Sequence, residues 1–287
     1  MIRWISLLGI LLLSISASAT EMVGAVSAGM GGTGRAAVEE QEAVYLNPAA
    51  ISLVNKMHFS TAYQSGFLAR DVSRNTYGLT IVDGSKDVLI KGAFAFRNHR
   101  INLHGMEFNE NEFRLGLGQR LTKRFSLGLT LSHLKAESPD GVAYRQNNVD
   151  LGFLLGLRPN WGLSLTGENL VEQDQNIPSA LIRPSRVALG TQYIYAGSIT
   201  GRYELLSPLN FYNDHKPYLG HRFGLGIKFQ ADFVLNLGYS VDDFAEQNWS
   251  SIGLGWMGPR LKFAYSLQSE SRQSLGTRHL VDLWVNL

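Results

Sequence analysis

The chain has 287 residues, of which 45% are hydrophobic and 17% charged, with 30 glycines, no cysteine and a formal net charge of +2. Soluble globular chains carry about 25% charged residues and about 7% glycine, so charge is scarce here and glycine plentiful. The absence of cysteine excludes disulfide frameworks and thiolate metal sites, the apolar and aromatic content excludes a disordered tail, and the near-neutral charge leaves no footprint for nucleic acid. A helical membrane protein is not expected either. The longest uncharged run after residue 20 has 15 residues, at 187–201, whereas a spanning helix needs about 20.

Residues 1–19 read as a secretory signal: Arg3 supplies the positive start, residues 4–13 the apolar core, and Ala17, Ser18 and Ala19 the small-residue cleavage pattern. The mature chain is expected to begin near Thr20, outside the cytoplasm. No cysteine follows the cleavage site, so no lipid anchor is expected.

Residues 20–54 form the next segment. Residues 24–34 are small and glycine-rich, residues 36–46 contain helix formers around Glu39, Glu40, Gln41 and Glu42, and Asn47-Pro48 stops any helix there. This is long for a connection with no role.

From about Lys56 the apolar pattern has period two. Phe113, Leu115 and Leu117 alternate with Arg114, Gly116 and Gly118, and Phe125, Leu127, Leu129 and Leu131 with Ser126, Gly128, Thr130 and Ser132. Such alternation places one set on each face of a sheet. Fourteen strands are predicted, near 56–65, 75–83, 88–97, 110–120, 124–135, 146–157, 161–170, 184–195, 197–206, 220–230, 232–241, 248–257, 260–268 and 278–287. Six short turns alternate with seven longer loops, at 66–74, 98–109, 136–145, 171–183, 207–219, 242–247 and 269–277. Short turns on one side and long loops on the other, with an even strand number, are the layout of an outer-membrane barrel.

A soluble β-sandwich is the competing fold, but glycine would be an odd residue for so much of a watery face. On an inward face it permits close approach of another backbone. Trp161, Trp249, Trp256, Tyr195, Tyr203, Tyr239 and Trp284 fall near strand ends, where interfacial girdles are expected. The predicted fold is therefore all-β: a transmembrane antiparallel barrel of about 14 strands over residues 55–287, with residues 20–54 as an N-terminal plug containing a short helix. Charges on the inward set, among them Arg114, Asp150, Glu168, Arg202, Glu204, Arg222, Lys262 and Asp282, are of both signs. They suit paired residues that hold a plug better than a polar conduction path.

Gly29-Met30-Gly31-Gly32-Thr33-Gly34 and, after an acidic stretch, Ala43-Val44-Tyr45-Leu46-Asn47-Pro48-Ala49 resemble the start of FadL-type and PorV-type outer-membrane proteins. That family has a signal peptide, a GMGG stretch, a short helix and an NPA turn before a fourteen-strand barrel; Ala50 stands where it commonly has glycine. The resemblance covers about residues 24–53. It implies passage of small hydrophobic, fatty-acid-like compounds across the bacterial outer membrane or, alternatively, a PorV-like role in secretion or surface attachment of partner proteins.

Gly31, Gly32, Gly34, Asn47, Pro48 and Ala49 are the candidate plug and gating residues, and displacement of the Asn47-Pro48-Ala49 turn is the expected opening step. Phe67, Leu68, Met106, Phe108, Phe211, Tyr212 and Tyr218, assigned to the long loops, are candidates for an apolar collecting site. The seven histidines, with no Gly-x-Ser-x-Gly or His-Glu-x-x-His pattern, do not point to an enzyme; no catalytic residue, metal or cofactor is expected. The expected partners are membrane lipid, lipopolysaccharide, a small hydrophobic ligand and, through the amphipathic C-terminal strand with Val281, Leu283, Val285 and Leu287, the barrel-assembly machinery. No nucleic acid is expected.

Overall fold

The computed structural model describes residues 24–37, 39–69, 72–85, 88–103, 105–139, 141–171, 183–209, 219–243, 247–271 and 276–287. The signal sequence expected at 1–19 lies outside them. The strands are β1 (His58–Ala69), β2 (Val72–Val82), β3 (Lys91–Leu103), β4 (Met106–Arg120), β5 (Phe125–Glu137), β6 (Ala143–Arg158) and β7 (Trp161–Glu168). They continue as β8 (Arg186–Tyr195), β9 (Ile199–Pro208), β10 (Gly220–Lys228), β11 (Phe233–Asp242), β12 (Gln247–Met257), β13 (Leu261–Glu270) and β14 (Thr277–Asn286). Each pairs antiparallel with its sequence neighbours, and β1 closes on β14 from His58↔Asn286 to Phe67↔Thr277. Closure leaves no unpaired strand edge.

The alternation runs opposite to that of a soluble protein. On β4, Phe113, Leu115 and Leu117 are exposed while Glu112 and Arg114 are buried; on β12, Ile252, Leu254 and Trp256 are exposed. A contiguous apolar exterior around a closed barrel is stable only with lipid as its solvent. No helix among the described residues is long and apolar enough to cross a membrane. A single-chain barrel of this kind belongs to the bacterial outer membrane.

Two of the expected long loops are mostly strand and a third is half strand. Pairing persists from Gly66↔Arg74 to Ala69↔Val72, from Asn98↔Asn111 to Leu103↔Met106, and from Lys135↔Arg145 to Glu137↔Ala143. Above the lipid belt both faces become polar, with Arg74, His99 and Glu110 inside and Asn75, Arg100 and Asn111 outside, so the alternation of hydrophobicity fades where the hydrogen bonding does not. Trp249 and Trp284 also depart from the girdle expectation: they are 3% and 0% exposed and point inward. Trp284 follows Asp282 by two, which puts it on the same luminal face. By contrast Trp161, Trp256, Tyr195 and Tyr239 are exposed on the exterior.

Residues 24–54 lie inside the ring of strands. They contain helix α1 (Ala25–Gly29), a 3-10 turn (Glu40–Glu42), helix α2 (Ala43–Leu46) and a 3-10 helix (Pro48–Leu53). The helix formers at 36–46 thus yield only short turns, because this stretch is shaped by the wall around it. Helix α1 packs on β11–β14, and Pro48–Leu53 on β3–β6. Two apolar clusters join segment to wall: Val26, Ala28 and Leu46 with Ala264, Leu280 and Trp284, and Val44, Tyr45, Ile51 and Val54 with Val82, Ala93 and Ala95.

Candidate functional site: the lumen

Backbone groups of residues 24–54 that short helices leave unpaired are met by side chains of the wall. Asp282 accepts from the Ala25 amide at 2.7 Å, Gln268 donates to the Ala28 carbonyl at 3.0 Å, and Ser251 both donates to the Gly29 carbonyl and accepts from the Gly31 amide. Arg222 donates to the Gly32 carbonyl at 2.9 Å, and Thr130 to that of Val44 at 3.2 Å. Buried polar groups need such partners, and here they come from five strands.

The centre of the arrangement is Arg35, which is 1% exposed. Its Nη1 lies 2.6 Å from Glu204 of β9, and its Nε lies 2.7 Å from Glu168 of β7. The other Glu204 oxygen accepts the Gly34 and Arg35 amides, both at 2.6 Å. Glu168 is held in turn by Arg186 of β8 at 2.8 Å. Side chain and main chain of one turn are thus clamped by two carboxylates, the charge-assisted type of bond that is the strongest available.

Asn47 fixes the second half of the segment. Its amide donates to the Arg35 carbonyl at 2.8 Å and the Phe153 carbonyl at 3.2 Å, while its oxygen caps the Ala49 amide at 3.0 Å. Pro48 occupies the first turn, where a missing N–H costs nothing. Opposite stand the inward glycines of the wall: a Cβ at Gly118 would lie 2.7 Å from the Ser52 nitrogen, and Cβ atoms at Gly128 and Gly152 would overlap Pro48 and Asn47. Gly224 and Gly238 receive Met30 and Gly31 in the same way.

Gly31 and Gly32 adopt φ of +71° and +79°, the left-handed region that favours glycine. A Cβ on Gly31 would also stand 2.6 Å from the Phe223 carbonyl oxygen. Gly31→Ala is therefore expected to weaken seating by about 1–3 kcal/mol, read as faster protease cleavage within residues 24–54 of the reconstituted protein, with the strands still protected.

An ionic layer occupies the extracellular half of the lumen on the β2–β6 side. Arg114 bridges Glu112 at 2.9 Å and Asp150 at 3.1 Å, Arg183 pairs with Glu112, and Arg74 approaches Glu110 at 4.0 Å. The Arg97 guanidinium sits 3.1 Å from the centroid of the Tyr45 ring. His99, read from sequence as a loop histidine, is 1% exposed inside β3, with Nδ1 2.8 Å from the Thr76 hydroxyl. Only its parity with Arg97 would have revealed this.

Glu42, in the 3-10 turn, bonds the Ser27 hydroxyl and accepts the Ser27 amide at 3.2 Å. Burial, and then the Asp282 carboxylate beside it, pushes its carboxyl up from 4.5 to about 8. A carboxyl that holds its proton when seated and releases it in water stabilises the seated state less as pH rises from 4.5 to about 8. Conductance of the reconstituted protein should therefore be higher at pH 9 than at pH 6, and Glu42→Gln should flatten that difference. Equal pH dependence in the variant would remove Glu42 as its source.

The candidate residues fall in several places. Gly31, Gly32, Gly34, Asn47, Pro48 and Ala49 are all buried in the lumen within one connected arrangement. Phe67 lies on β1 rather than in a loop and is 65% exposed on the exterior. Met106 and Phe108 occupy inward-register positions at the extracellular end of β4. The Leu68 side chain and residues Phe211, Tyr212 and Tyr218 lie outside what is described. Arg35 was not singled out from the sequence; a lone arginine between a glycine stretch and an acidic one was the available signal.

No protein-family model matches the chain, and no curated protein matches it by sequence. Solved structures do. The toluene transporter TbuX of Ralstonia pickettii superposes with TM-score 0.70 at 11% identity, covering 93% of this chain and 97% of that one. The toluene transporter TodX of Pseudomonas putida gives 0.71 at 10% identity, covering 93% and 97%. A FadL homologue of Pseudomonas aeruginosa gives 0.68 at 9% identity, covering 93% and 98%. The chain has the FadL-type fold. At these identities the likeness is one of architecture.

Proposed function

We propose that the protein passes small hydrophobic compounds across the outer membrane, and that residues 24–54 are a plug that closes the lumen until they are displaced. The observation that carries this reading is the seating of the segment: a polar-clamped stretch fills the inside of a barrel whose inward face is cleared for it by glycines. The architecture shared with TbuX and TodX, toluene transporters both, supports hydrophobic compounds as the cargo. In this reading ligand partitions from the extracellular side onto apolar residues that include Met106 and Phe108 at the end of β4. Movement of the Asn47-Pro48-Ala49 turn off Gly128 and Gly152 then opens a route along the β5–β6 wall, which leads to the periplasmic mouth beside Leu53.

The test is uptake of toluene by proteoliposomes, with a polar solute of similar size as control. Toluene entry above that of empty liposomes, lowered severalfold by Met106→Ser with Phe108→Ser, is the expected result. Toluene entry no faster than into empty liposomes would overturn the reading.

A further inference from the structure

The periplasmic mouth of the lumen contains a cavity of about 280 Å³ between the seated segment and the wall of β4–β8. Ala36 and Leu53 of the segment line it on one side, and Arg120, Lys123, Arg124 and Arg158 line it on the other. Arg120 and Arg124 share the inward parity of Gly118 and Ser126, which places them on the luminal face. No acid lines this cavity, and among the described residues none of the four cations pairs with one.

The segment's own acids are engaged elsewhere. Glu39 lies 3.4 Å from Arg202, and Glu40 lies 3.4 Å from Lys262 and 3.5 Å from His58. Glu39, Glu40, His58 and Lys56 line a second cavity of about 380 Å³, which shares Leu53 with the first. The mouth is thus divided into a basic half and a half of mixed sign.

The cations stand on a fixed frame. Arg120 donates to the Thr122 and Lys123 carbonyls at 3.3 and 2.6 Å, and the Thr122 hydroxyl accepts the amides of Arg124 and Phe125. The Gly156 amide donates to the Arg124 carbonyl at 2.8 Å, which ties the end of β6 to the β4–β5 turn. A cleft lined by one sign of charge and walled by protein concentrates the opposite ion, by about 10-fold to 10³-fold. Pores use basic linings in this way to select anions.

We infer that this half of the mouth selects solutes by charge, admitting anions in preference to cations, with Arg120, Lys123, Arg124 and Arg158 as the selecting residues. For transport the inference rests on the passage reading above, whose route leaves the lumen beside Leu53. A neutral compound such as toluene is indifferent to these cations, whereas an anionic solute is drawn past them.

The chain has no cysteine, so a single introduced thiol reports the potential where it stands. Asn160→Cys places it in the basic cavity and Asn55→Cys in the second one. The full-length variants, checked for folding by heat-modifiable gel migration, are treated in non-ionic detergent with an anionic and a cationic methanethiosulfonate, a sulfonate and a trimethylammonium. Each rate is normalised to that with mercaptoethanol. The segment need not move in this assay, so its outcome and that of the toluene test are independent. The sulfonate is expected to react about tenfold faster than the trimethylammonium at Asn160→Cys and about equally fast at Asn55→Cys. Arg120→Gln, Arg124→Gln and Arg158→Gln together should bring the first ratio near one, and so should about 1 M salt, where the screening length is about 3 Å. Equal normalised rates at Asn160→Cys, or a preference there that survives either the triple substitution or the salt, would overturn the inference.

Discussion

Arg35→Met opens the barrel. The substitution keeps an unbranched stem and removes the charge that Glu168 and Glu204 enclose at 2.5 and 2.6 Å. Breaking one side of a buried ion pair costs about 3–5 kcal/mol, because the remaining charges stay buried without compensation. Here the barrel has another way out: the segment leaves, water enters, and the carboxylates are hydrated. The cost therefore falls on seating rather than on the strands, and the ratio of seated to displaced segment should fall by a factor of about 10² to 10⁴. Liposome swelling with small sugars is the readout, and heat-modifiable migration should be retained. Adding Glu168→Gln and Glu204→Gln to Arg35→Met should restore part of the closure, since neutral groups of similar shape carry no such charge penalty. A variant that remains as tight as the parent would mean that Arg35 does not hold the segment.

Valine at Gly128 or Gly238 is expected to have a comparable effect by a different route. At Gly128 the new Cβ would overlap Pro48 and Ala49, and at Gly238 it would overlap Met30 and Gly31, all of them main-chain or ring atoms that cannot rotate away. Overpacking of this kind costs about 1–3 kcal/mol, occasionally more, when the neighbour must shift. Valine itself suits a strand, so the barrel is not the loser. Gly92→Val and Gly201→Val are the controls, because a Cβ at either meets nothing within 4 Å. Swelling should rise for the first pair and stay at the parent level for the second. If all four behave alike, glycine content has a cause other than the seat of the segment.

Much of the barrel was legible because lipid imposes a simple code on its outer face. Phe113, Leu115 and Leu117 announce a strand, and the alternation of short and long connections announces its direction. The extracellular extensions of β1–β6 were not legible: with Arg74, Asn75, His99 and Arg100 on successive faces, hydrophobicity carries no period although the ladder continues. The same limit explains Trp249 and Trp284. A tryptophan near a strand end looks like an interface anchor until its parity is counted against Asp282. In the lumen, Asn47-Pro48-Ala49 and the glycines of 29–34 stood out by composition, whereas the Arg35–Glu168–Glu204 clamp joins residues separated by 133 and 169 positions. Nothing local connects them; only the closure of the barrel brings β7 and β9 to the same arginine.

The interior glycine is thus tied to the segment by geometry. Its low charge and high glycine, unusual for a soluble chain, are what remains when one face dissolves in lipid and the other is cleared for a piece of the same chain.

The most direct measurement is the conductance of the barrel lacking residues 21–46, reconstituted in planar bilayers beside the full chain, with strand content checked by circular dichroism. If residues 24–54 close the lumen, the shortened barrel shows large, steady conductance and the full chain shows little. Equal conductance of the two, with strand content intact, would contradict the plug.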